Sequence, residues 1–141
     1  MGGLLIAPDT TVTIGTRGNR NEHAGIWYNL ESYYQYYLSD SYYINIYSVQ
    51  VSLDQSQLDV VNSNLAKADH WSAIYNCTAF TEAMWNSVCS DTLSSGGLYT
   101  PTALWDYLLA KYADKAAFRP EVPYDYIVYY GKNLTPSKEF V

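Results

Sequence analysis

Basic residues are scarce in this chain: 8 Lys and Arg stand against 14 Asp and Glu, leaving a net charge of −6. The few that occur are scattered. Nucleic acid and anionic membrane surfaces are therefore poor partners, because both require clustered positive charge. Histidine and cysteine are rarer still, two of each. His23 and His70 lie far apart and the cysteines form no CxxC pair, so no metal-ligand spacing exists and neither a metal nor another cofactor is expected. Cys77 and Cys89 fall on one predicted helix, about 18 Å apart at 1.5 Å per residue, which excludes an internal disulfide. No apolar run approaches the ~20 residues of a transmembrane helix. The opening Met1-Gly2-Gly3-Leu4-Leu5-Ile6 lacks the basic segment and apolar run of a signal peptide. The sequence assigns no compartment; a cell-envelope or secreted location would follow from a signal upstream in the native gene.

What is abundant is apolar and aromatic. Of 141 residues 48% are apolar and only 16% charged, which suits one domain with a genuine core over 1–141. Sixteen tyrosines are packed most densely between Tyr28 and Tyr47. Each brings apolar area with a polar tip, as strand faces and ligand-facing walls need. The run Tyr33-Tyr34-Gln35-Tyr36-Tyr37 fits sheet-edge packing better than a carbohydrate platform.

Patterning predicts strands over 11–16, 23–29, 42–51 and 124–130, with Arg17 to Asn21 as turn chemistry, 30–41 ambiguous between helix and loop, and a polar tail from Gly131. Ser52-Leu53-Asp54-Gln55 reads as a capping box opening a helix to about Ala68. Thr100-Pro101 opens another, with Leu104, Leu108 and Tyr112 on its stripe. Strands, then helices, then a closing strand indicate an α+β domain: an antiparallel sheet with helices packed on one face.

The stretch from Tyr75 to Val88 carries the chemistry. Cys77, Phe80, Thr81, Met84 and Val88 form a stripe at helical period, and Asn76 is placed to cap the helix. A cysteine in that first turn sits among unpaired N–H groups at the positive end of the helix dipole, where the nucleophilic thiolate is favoured. The alternative is a small apolar residue on a core helix. A nucleophilic Cys77 needs a histidine for proton transfer. His23, at a strand start, is the better placed; His70 lies in a connector. Asn19, Asn21, Asn45 and Asn76 are candidates for an orienting amide.

Asn76-Cys77-Thr78-Ala79-Phe80, Met84-Trp85-Asn86 and Thr100-Pro101-Thr102-Ala103-Leu104 together resemble the permuted papain-like cysteine hydrolases. These form the bacterial NlpC-like group, which includes the lecithin–retinol acyltransferase-type enzymes. Val12 to Thr16 and Gly25 to Glu31 look like strands of its members, so the likeness spans about residues 11 to 110. It implies a papain-like fold with Cys77 as nucleophile at a helix N-terminus and a peptide or acyl small molecule, of the cell-wall peptidoglycan class, as substrate. A thiol peptidase or amidase is thus expected, with the Cys77 N–H helping to hold the oxyanion. Members carry their catalytic histidine after a glycine on an early strand, and no Gly-His pair occurs here. His23 takes that role, or the strand is absent and the domain is N-terminally incomplete, or the base comes from elsewhere. An absent strand would leave a sheet edge suited to homodimer pairing, and with it the other expectation: a catalytically incomplete binding or structural module.

Overall fold

The computed structural model describes residues 12–19, 21–34, 49, 51–97, 99–112 and 127–141. Within these, the chain is α+β. Four antiparallel strands, β1 (Ile14–Asn19), β2 (His23–Tyr28), β3 (Tyr129–Tyr130) and β4 (Thr135–Pro136), form one sheet in the order β1-β2-β3-β4. A first helix, α1, begins at residue 30 and is described through 34. It is followed by α2 (Gln55–Leu65), α3 (Cys77–Val88) and α4 (Pro101–Lys111).

The β1–β2 hairpin is tighter than the turn chemistry of Arg17 to Asn21 implies. Arg17, Gly18 and Asn19 continue the strand, pairing with Gly25, Ala24 and His23. Arg17 is held in it from one side: its guanidinium lies over the rings of Tyr34 and Phe140 and donates to the Tyr34 hydroxyl. That cross-chain stack outweighs the local preference of Gly and Asn for turns.

Side chains alternate along β2 and both of its faces are covered. Ile26 and Tyr28 join Leu65 and Ala68 from the α2 end and Phe80 of α3. Trp27 on the opposite face joins Leu30, Val128 and Phe140, with Tyr33 and Tyr34 packed against them. The residues from Gly131 onward are thus no polar tail. Gly131, at φ 73, turns the chain in a left-handed conformation that a side chain would resist, β4 returns, and Phe140 closes the second cluster.

Two further expectations shift. The capping box of α2 lies two residues later than Ser52: Asp54 accepts from the Gln57 N–H at 2.8 Å, and Gln57 Oε1 accepts from the Asp54 N–H at 2.9 Å. Both tetrads have the right spacing, but only Gln57 also reaches α3, donating from Nε2 to the Val88 carbonyl at 2.9 Å. On α3 the buried residues are Thr78, Ala79, Phe80 and Glu82, while Cys77 and Thr81 of the expected stripe are exposed. The helix is rotated toward the segment that follows it. Glu82 accepts from the Ser95 N–H and hydroxyl, and Asn86 exchanges two hydrogen bonds with Leu93. The expected strand over 42–51 lies outside the described residues except Val49 and Val51, which are in no strand; of 124–130, 124–126 likewise lie outside.

Candidate functional site

Asn76 caps α3. Its Oδ1 accepts from the Thr78 and Ala79 N–H groups, each at 3.1 Å, and its carbonyl accepts from Phe80 N–H at 3.0 Å. The Asn76 amide is itself fixed by donating to the Tyr99 carbonyl at 2.7 Å. The Cys77 N–H has no hydrogen-bond acceptor among the described residues. The Cys77 thiol is exposed and free of any disulfide.

Beside Cys77 lies a cavity of about 360 Å³ that wraps the outer edge of β1. Thr81 and Thr16 line it on the helix side; Arg17, Trp27 and Tyr34 line it on the other. Among the described residues β1 has no strand on this side.

His23 is held by a group that sequence spacing did not suggest. Its Nε2 lies 2.6 Å from Asp69 Oδ1, a residue 46 positions away, and its ring stacks on Tyr130 at 5.2 Å. The same carboxylate accepts from the Ile26 N–H at 2.9 Å and the Lys132 N–H at 3.2 Å. Asp69 therefore fastens β2, beyond the short stretch that pairs with β3, to the turn after β3. Gly25 is required for this: a Cβ there would collide with both the Asp69 carboxylate and the His23 ring. Of the asparagines considered as orienting groups, Asn76 is the helix cap, Asn19 ends β1 opposite His23, and Asn45 lies outside the described residues.

Partial burial pushes the Asp69 carboxyl upward, but the hydrogen bonds from His23, Ile26 and Lys132 outweigh it and hold the group below the usual aspartate range. A depressed folded-state value stabilises the fold fully above the ordinary aspartate value and is lost as pH falls through the folded one. Asp69→Asn is thus expected to cost about 1.5–3 kcal/mol at neutral pH, the worth of a charge-assisted hydrogen bond. In urea melts this gap to wild type should shrink below about pH 4; a gap that persists undiminished into strong acid would contradict the assignment.

The two sequence-selected residues are not in contact. His23 shares the Trp27 face of β2, whereas α3 packs through Phe80 on the Ile26 face. No hydrogen bond joins His23 to Cys77 among the described residues. His70 is exposed and packs on Tyr75 at 4.4 Å.

Cys89 has a different setting. It borders a second cavity, of about 450 Å³, with Trp85, Asp91 and Tyr112. Partial burial, and then the charge of Asp91, push its thiol up. Alkylation of Cys89 at mildly alkaline pH should therefore run slower in the folded protein than in urea, as peptide mapping would read; equal rates would remove this account.

No group of three or more His, Cys, Asp or Glu placed to hold a metal occurs among the described residues. No helix among them is long and apolar enough to cross a membrane. No protein-family model matches this chain, and no curated protein or solved structure matches it significantly, so the likeness to NlpC-like hydrolases rests on the motifs themselves.

Proposed function

We propose that the protein is a thiol hydrolase of papain-like type, cleaving an amide or ester bond through Cys77, with the cell-wall peptide class as the substrate the family likeness suggests. The observation that carries this reading is the exposed Cys77 at a capped helix start, with its own N–H open and a cavity beside it. The thiol sulfur attacks the substrate carbonyl, and the Cys77 N–H receives the developing oxyanion. His23 is assigned the proton: Asp69 and Tyr130 fix its ring through Nε2 and by stacking, which leaves Nδ1 for the exchange, and that exchange requires His23 and Cys77 to approach from the separate faces they occupy here. The cavity reaches round to the sheet face that holds His23, through Arg17 and Trp27, but His23 itself does not line it.

A second reading follows from the separation of His23 and Cys77. There the His23–Asp69 pair only fastens the sheet, and the domain is a catalytically incomplete binding or structural module, dimerising along the open edge of β1. Alkylation by iodoacetamide distinguishes the two. In a hydrolase, His23→Ala slows labelling of Cys77 at neutral pH while leaving Cys89 unaffected. Labelling of Cys77 that ignores His23 sinks the proposed role of that residue and favours the module.

A further inference from the structure

We infer that the cavity beside Cys77 is a carboxylate-binding site, with Arg17 as the anchor that selects acidic substrates. Two ion pairs occur among the described residues, His23–Asp69 and Lys111–Asp91. Arg17 takes part in neither. Its contacts are the Tyr34 hydroxyl and the faces of the Tyr34 and Phe140 rings. Ring stacking covers the flat faces of a guanidinium and leaves its in-plane donors open. Of five N–H donors only one is used here, and the remaining fork matches the two oxygens of a carboxylate. The residue is half-buried in a chain of net charge −6, so a cation in a concave wall with no ion-pair partner among the described residues is an exception to the surrounding field.

A second observation lies across the cavity, on its helix side. Thr16 is 6% exposed, and its hydroxyl has no hydrogen-bond partner among the described residues. An orphaned hydroxyl is costly; Oγ1 is shut off from the cavity where it stands, and a turn of the side chain would let a polar ligand group relieve that cost. Glu31 also lines the cavity and is exposed, which disfavours a dianion filling the whole space. The ligand class is thus a monocarboxylate or a peptide whose carboxylate lies a few bonds from the attacked carbonyl. As a substrate preference this rests on Cys77 being the nucleophile; as a binding site it does not.

Two alkylating agents that differ only in charge test it without a known substrate. Iodoacetate and iodoacetamide both form an S–C bond at the thiolate and expel iodide, but only iodoacetate carries a carboxylate. The ratio of their rates at Cys77, resolved from Cys89 by peptide mapping, cancels changes in the thiol itself. In the folded protein the ratio should exceed that of Cys77 in urea by about tenfold. Arg17→Gln should return it to the urea value. Arg17→Lys, which breaks the same ring stack but keeps the charge, should preserve most of the preference. A folded ratio equal to that in urea, a preference that survives R17Q, or its loss in both variants overturns the site. The iodoacetamide rate alone carries the His23 test, so the failure of one inference is distinguishable from the failure of the other.

Discussion

Replacing His23 with alanine is expected to lower acylation of Cys77 by about 10²–10⁴-fold, the usual contribution of a positioned general base. The reaction to follow is the release of nitrophenolate from a p-nitrophenyl ester under single-turnover conditions, with Cys77→Ser as the blank. Asp69 takes Nε2 at 2.6 Å and Tyr130 stacks on the ring, so the imidazole is fixed and its Nδ1 has no hydrogen-bond partner among the described residues. Asp69→Asn should move the pH profile of acylation as well as its rate, since an amide orients the ring without supplying charge. A merely structural Asp69 would lower stability and leave the profile of the folded fraction in place. If acylation of Cys77 is as fast without His23 as with it, the proton passes elsewhere and the proposed mechanism is wrong.

The largest effect on stability is expected at Trp27, where alanine should cost about 3–5 kcal/mol. Trp27 is 1% exposed and is the largest of the fully buried side chains described. It meets Tyr130 at 5.2 Å and Phe140, edge to face, at 5.6 Å, and its indole N–H donates to the His23 carbonyl at 3.2 Å. Removing it therefore opens a cavity between the sheet and the C-terminal residues and takes away the indole's hydrogen bond to the His23 carbonyl. Urea melts should show a lower midpoint with little change in slope. Ile74→Ala is the control: at 84% exposure it should stay within about 0.5 kcal/mol of wild type. A Trp27→Ala protein as stable as that control would mean that the Trp27–Phe140 cluster does not hold the sheet's second face.

Much of this architecture is local and was readable for that reason. The Asn76 cap of α3 and the Thr100-Pro101 start of α4 depend on side chains reaching N–H groups two or three residues away. The start of β2 follows from the turn before it, and its end falls one residue short of the expected one because Asn29 takes φ 67. Where two local solutions were equivalent, distant contacts chose. Ser52 and Asp54 both begin a capping tetrad, and Gln57 settles it by bonding across to Val88. The stripe of α3 kept Phe80 and Met84 against the core but not Cys77 and Thr81, because Glu82 and Asn86 look toward the segment carrying Leu93 and Ser95, whose path no helical pattern contains.

The sequence by itself determined the antiparallel α+β class, the cysteine at the first position of a capped helix and the absence of metal-ligand spacing, since each is written in neighbouring residues or in composition. Only the tertiary structure decided that Asp69 holds His23, that Arg17 is a stacked strand residue beside the Cys77 cavity rather than part of a turn, and that the C-terminal residues close the core through Phe140. These are pairings across tens of residues. Their energy comes from burial and from donors and acceptors that meet only when the sheet and helices are assembled, so no spacing along the chain encodes them.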